Sequence, residues 1–469
     1  MSSLVATCSR RSQQSRRAVL RAGVFGFGGW NLVDLLRAEN VSGRSHPRKS
    51  LINIHLDGGP PQLDTIDPKP DAPVEIRGSF SPIQTSLPGV FISELMPNVA
   101  QMANRFTLIR SLVGSAGRHD AFQCQSGFHD RDLSAFGGRP AVGSVVSYLC
   151  GSPQDTSPAF VDLMQGRPLV RNSARPGFLG PSYQPFRPDM SSMFHRELEA
   201  GMKNELARKG THHTVSLSLN PELTMERLTD RRSLLGHLDG IKRQADSSGM
   251  MDAMDSFQQQ AVSILTSGKF ADAMDLSREN PATLARYTAR TPTAGVQSTT
   301  SEGPDCIRKL LMARRLIEAG VRCVSVSISD FDTHSANFER MKFLMPIVDH
   351  GICALVTDLE ERGMLDDVSI VIWGEFGRTP RINNSNGGRD HWPQVGPAIL
   401  CGGGIRTGQV IGATDRIAGS VTSRPVHYKD VFATLYHNLG IDARNTTIED
   451  PQGRPQYLLD DGEPLAEVI

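Results

Sequence analysis

The chain is 469 residues long, 39% hydrophobic and 21% charged, with 50 basic and 50 acidic side chains. That length can bury one large core or two, the composition excludes global disorder, and zero net charge gives no ground for general nucleic-acid binding. Seven cysteines without paired spacing or a C-x-x-C exclude a disulfide framework and read as small buried hydrophobes.

The balanced charge hides a basic start: residues 1–45 hold seven arginines against two acidic residues. Ser15-Arg16-Arg17-Ala18-Val19-Leu20, followed by a Gly-rich, weakly apolar run, resembles a twin-arginine export signal. Arg21 interrupts the run, which is too short and polar to span a bilayer stably. With no clean A-x-A cleavage site, retention as an anchor is one expectation beside removal. The rest of the chain, 46–469, is then a single exported domain in the periplasm or cell envelope.

In chain order, Leu51–Leu56 reads as a buried strand and 58–92 as a Gly/Pro-rich loop. A helix is expected over Leu95–Asn104, a strand over Phe106–Arg110, and helices over His119–Gln125 and 140–150. Residues 151–190, with seven prolines, read as loop, and 190–290 as a helical insertion. A Thr/Ser/Pro/Gly linker at 291–304 precedes alternating elements: helix Ile307–Ala319, strand Val321–Ser327, helix Phe338–Arg362, strand Val368–Trp373, short strand Ala398–Cys401 and helix Tyr428–Asn438. Gly320, Gly363 and Gly440 stand where helix ends want glycine. This alternation predicts a mostly parallel α/β sheet with helices on both faces.

Carboxylates and imidazoles cluster just past the expected strands. Asp57-Gly58-Gly59-Pro60 follows the first strand. Asp330-Phe331-Asp332-Thr333-His334 follows the third, Glu375-Phe376-Gly377-Arg378 the fourth, and Gly388-Arg389-Asp390-His391-Trp392 lies in the next loop. Ligands at the carboxyl ends of neighbouring strands converge, as open α/β sheets place their sites there. Asp330 and His334 can reach one ion from a single turn, with Asp332 as the alternative carboxylate. His391 joins them, and Asp57 with Glu375 could hold a second ion. Two imidazoles with carboxylates suit Zn²⁺ or Mn²⁺ better than Ca²⁺. Arg378 could bind a substrate anion bidentately. Each residue has a plainer reading as a cap, turn or core hydrogen-bonding group, and together they could form a hydrogen-bonded network without an ion.

The order Leu-Asp-Gly-Gly-Pro, Asp-Thr-His, Gly-Glu-Phe-Gly-Arg-Thr-Pro, Gly-Arg-Asp-His-Trp-Pro and Gly-Gly-Gly-Ile-Arg resembles the family catalogued as domain of unknown function 1501, over about residues 50 to 460. That family is similar to the alkaline-phosphatase-like superfamily of sulfatases and phosphatases. The resemblance implies a doubly wound sheet with one or two divalent metals at its carboxyl edge, and a small-molecule or glycan ester substrate. It makes Asp57 the first-strand ligand, Asp330, His334 and His391 the ligands of one metal, and Glu375 a ligand of the other. Where the superfamily usually carries Asp-His, this chain has Glu375-Phe376, so an imidazole is missing, and His119 is a candidate to replace it. The nucleophile position falls in 111–119, where Ser115 is preferred and Ser111 the alternative. No cysteine begins the Cys-x-Pro-x-Arg of a formylglycine sulfatase. The expectation is a metal-dependent hydrolase of phosphate or sulfate esters acting outside the cytoplasm. The alternative is a non-catalytic exported protein binding a metal or a glycan.

Overall fold

The structure is a computed structural model that describes residues 49–469 except 135–136, 153–154, 166–173, 189, 191–263, 265–267 and 289–301. The leader expectation at 1–45 and most of the helical insertion expected over 190–290 lie outside the described residues.

The core is one eight-stranded sheet. Numbered in chain order, its strands are β1 (Ser50–Leu56), β2 (Thr107–Val113), β3 (Phe160–Leu163), β4 (Cys323–Ile328), β5 (Val368–Trp373), β6 (Gly396–Cys401), β7 (Gln409–Ile411) and β8 (Val426–His427). Their spatial order is β7-β2-β6-β5-β1-β4-β3, with β8 also on β2. β1 is central and buried along its whole length. A strand covered by helices on both faces needs a near-continuous apolar run. Apart from Ser50 at its start, the polar exceptions are Asn53 and His55, which share one face, and the Asn53 amide is satisfied by the Cys124 carbonyl and the Trp373 indole N–H.

The register explains the site. β1 runs parallel to both β4 and β5, with Leu56 opposite Ile328 and His55 opposite Trp373. The segments after these three strands therefore leave the sheet at the same edge. β6 is antiparallel to β5 and to β2, so its amino end and the carboxyl end of β2 lie at that edge too. Five segments converge: 57–59, 114–119, 329–334, 374–378 and 388–395.

The sheet is mostly parallel, as expected, with β6 running against the other seven strands. The β5–β6 connection carries no helix; it folds on itself through a short ladder pairing Gly377–Arg378 with His391–Trp392. Without a crossover, the chain returns antiparallel. β3, within the proline-rich stretch expected to be loop, pairs with β4. It is a four-residue edge strand, where flanking prolines cost no ladder bond. The helix expected over His119–Gln125 is only Gln123–Ser126, stopped by Gly127 at φ 80°. The long helices Arg308–Glu318, Asn337–Glu361 and Tyr428–Asn438 match their expected positions within a residue or two. No helix among the described residues is long and apolar enough to cross a membrane.

Candidate metal centre

Two clusters of possible ligands sit at the converging edge: His119, Asp332 and His391, and below them the buried His55, Asp57 and Glu375. Within each, the nearest ligand atoms all lie within 4.8 Å of one another.

In the outer cluster, Asp332 Oδ1 is 3.1 Å from His334 Nε2 and 3.4 Å from His391 Nε2. The two Nε2 atoms are 3.1 Å apart. The other nitrogen of each ring fixes its tautomer. His391 Nδ1 is 3.0 Å from the Gly117 carbonyl, which can only accept, and His334 Nδ1 is 2.6 Å from Asp390 Oδ1. Each Nδ1 therefore holds the proton, and in the neutral rings two lone pairs and a carboxylate oxygen point at one another. Acceptors facing acceptors at such distances need a proton or a cation between them. Outer partners that set the tautomer in this way are the usual support of metal-ligating histidines.

In the inner cluster, His55 Nε2 lies 3.5 Å from Glu375 Oε2 and 3.9 Å from Asp57 Oδ1. His55 is fully enclosed, and neither of its ring nitrogens has a hydrogen-bond partner; Glu375 Oε2 also lacks one. Leaving such groups buried and unmade costs about 1–3 kcal/mol each, so this corner fits a cation that would take those lone pairs. Burial pushes the His55 imidazole down from its usual range, which keeps it in the neutral form a metal needs.

His119 stands between the clusters, with Nδ1 3.1 Å from Glu375 Oε1 and Nε2 3.1 Å from Asp332 Oδ2. Burial works against its charge, but the two carboxylates outweigh it and raise its pKa to about 9. Burial also opposes the charge on Asp332, yet the His119 and His391 bonds and Arg378 hold it well below the usual carboxylate range. Glu375 is likewise held low: His119 and His55 overcome its burial.

Local sequence makes this possible. Gly58 has φ 105°, and a Cβ there would lie 2.3 Å from the Asp332 nitrogen, so only glycine lets the two loops meet. Phe376 stacks on His391 with centroids 4.1 Å apart and meets His119 edge-on at 5.4 Å. Phe376 thus packs against two of the imidazoles.

Of the expected residues, the structure brings together Asp57, Asp332, Glu375, His334, His391 and His119. Asp330 is not among them: its Oδ2 accepts from the Glu302 backbone N–H. Asp330 has φ 78°, so strand alternation ends before it, and the carboxylate aimed at the cluster is that of Asp332. Arg378 is fully enclosed rather than open to a substrate. It donates to Gly59 O at 3.2 Å, Arg389 O at 3.0 Å, Gly58 O and Asp332 Oδ1. Both candidate serine hydroxyls are engaged: Ser111 donates to Arg424 O and Ser115 to Glu375 O, each at 2.6 Å. His55 was missed. Its signal was a histidine inside an apolar strand, two residues before Asp57 and so on the same face.

Solved structures with some likeness include a sulfatase from Pseudoalteromonas sp. (12% identity, TM-score 0.38, 88% of this chain and 72% of that one). Another is a protein in the alkaline phosphatase superfamily from Vibrio parahaemolyticus (10%, 0.36, 84% and 67%). A third is the phosphonate monoester hydrolase of Agrobacterium radiobacter (13%, 0.30, 84% and 74%). No curated protein matches the chain. The family model described as "Protein of unknown function (DUF1501)" matches residues 48–469, and the chain belongs to that family.

Proposed function

We propose that the protein is a metal-dependent hydrolase of phosphate or sulfate esters, of small molecules or glycans, acting outside the cytoplasm after export by the twin-arginine route. The observation that carries the reading is the pair of facing donor sets, with acceptor against acceptor in the outer one and unpartnered buried atoms in the inner one. Asp332, His334 and His391 would hold one divalent ion, and His55, Asp57 and Glu375 another; zinc or manganese suits the mixed nitrogen and oxygen donors. When bound, such ions polarise an ester oxygen and neutralise charge on the transferring group.

The chain's own residues prepare this. Asp390 and the Gly117 carbonyl hold the His334 and His391 rings with Nε2 inward. Arg378 fixes Asp332 and adds positive charge behind it without reaching the solvent. Arg118, next in sequence to His119, largely exposed and bonded to Asp130 at 2.8 Å, is the candidate to meet an anion.

A second reading is a non-catalytic exported protein that keeps the metal centre and binds a glycan or envelope partner. The engagement of both candidate serine hydroxyls favours it. One experiment separates the two. The purified protein, loaded with zinc or manganese, is assayed on p-nitrophenyl phosphate, bis-p-nitrophenyl phosphate and p-nitrophenyl sulfate, beside a His334→Ala/His391→Ala variant and with metal content measured by mass spectrometry. Turnover lost in the variant supports the hydrolase. Bound metal without turnover on any ester supports the binding protein, and absence of bound metal overturns both.

A further inference from the structure

His119 touches both clusters, and it does so with a different ring nitrogen for each. Nδ1 lies 3.1 Å from Glu375 Oε1 of the inner set, and Nε2 lies 3.1 Å from Asp332 Oδ2 of the outer set. The ring is held in that plane from two sides. Phe376 meets it edge-on at 5.4 Å and 60°, and His391 at 4.8 Å and 86°. The side chain is only 16% exposed. Its position on the segment after β2 leaves it facing Glu375, after β5, on one side and Asp332, after β4, on the other.

Donor counting points the same way. His55, Asp57 and Glu375 supply three ligand groups, one short of the four that a closed zinc site takes. His119 Nδ1 contacts the Glu375 carboxylate of that set at 3.1 Å and would supply the fourth. Its Nε2 is grouped at the same time with Asp332 and His391. An imidazole committed to only one site would keep its second nitrogen as a donor to an outer carbonyl or carboxylate that belongs to no donor set of its own, as His391 does with Gly117. His119 has instead a carboxylate of a separate donor set at each nitrogen.

We infer that His119 is a shared ligand that bridges two divalent ions, Nδ1 serving the inner site and Nε2 the outer one. This rests on the metal-centre reading above. With both nitrogens coordinated, the ring carries no N–H; that proton passes to solvent, and the ring's negative charge offsets part of the charge of the two ions. The sites are then not independent, because occupancy of one fixes the ring for the other.

The test compares wild type with His55→Ala, His391→Ala and His119→Gln, which keeps a polar side chain of similar reach. Each is equilibrated with Zn²⁺ and desalted; metal per chain is counted by mass spectrometry and affinity is read against a chromophoric chelator. Circular dichroism confirms the fold of each variant. Wild type is expected to hold two ions, the His55 and His391 variants one each, and His119→Gln to bind both at least about ten-fold more weakly. A second readout needs no variant: Cu²⁺-loaded wild type should give an electron paramagnetic resonance signal well below that of two isolated coppers, because an imidazolate couples the spins. Loss of one ion only in His119→Gln, or an uncoupled two-copper signal in wild type, overturns the sharing while leaving the metal centre intact. A wild type that takes up no ion overturns the metal centre itself.

Discussion

Arg378 Nη2 donates to Asp332 Oδ1 at 2.8 Å from a guanidinium that has no exposure to solvent. The same guanidinium closes three backbone carbonyls, of Gly58, Gly59 and Arg389, from two of the converging loops. One side chain therefore ties the 57–59 and 388–391 segments to the carboxylate that faces three imidazoles. Arg378→Ala leaves a half-buried carboxylate and three carbonyls without this donor. We expect a loss of about 3–5 kcal/mol in chemical unfolding, with Arg378→Lys recovering only part because a point donor cannot span the fork.

His55→Leu discriminates an ion from a structural role. In the chelator-treated protein the change removes two unpartnered buried nitrogens, so stability should hold or rise by about 1 kcal/mol. Metal uptake should fall by one equivalent. A large drop in the stability of the chelated protein would show that the imidazole makes structural contacts instead.

The pH dependence of the ion-free protein follows from His119. Its folded pKa is raised to about 9 from 6.5, so the protonated ring stabilises the native state. That stability is fully present below pH 6.5 and is lost as the pH climbs to about 9, a change of up to about 3 kcal/mol. Denaturant melts of chelated protein between pH 6 and pH 9.5 should show the decline, and His119→Gln should flatten it.

Gly58→Ala places a methyl 2.3 Å from the Asp332 nitrogen at φ 105°. We expect at least about 2 kcal/mol of destabilisation and weaker metal binding, because the 331–332 backbone must retreat. Gly89→Ala, also at positive φ but with open space around it, should lower the melting temperature without touching metal affinity.

Ser115→Ala tests the nucleophile directly. The hydroxyl donates to Glu375 O at 2.6 Å and accepts from Gly117 N at 3.0 Å. As a positioning group its loss should cost about 1 kcal/mol of stability and leave any ester turnover measurable. Complete loss of turnover with unchanged metal content and folding would make Ser115 the nucleophile.

The sequence alone determined the elements that depend on local pattern. The apolar run of β1, the amphipathic helix Arg308–Glu318 with Gly320 behind it, and the helix at Tyr428–Asn438 were legible because hydrophobic periodicity and end signals are written within the segment. It also marked which strand ends carry the candidate ligands, since Asp57, Glu375, His334 and His391 each stand in a motif just past a strand or in a Gly-rich loop. Tertiary structure decided what no segment holds by itself. The antiparallel course of β6 brought His391 and the 114–119 loop to the same edge. The left-handed turn at Asp330 exchanged it for Asp332, and strand parity turned His55, unremarkable in an apolar run, toward Glu375. Packing closed over Arg378 and spent its donors on carbonyls of two distant loops. These outcomes depend on strand order, register and burial, which are set by long-range contacts, whereas a motif specifies only the residues that those contacts can bring together.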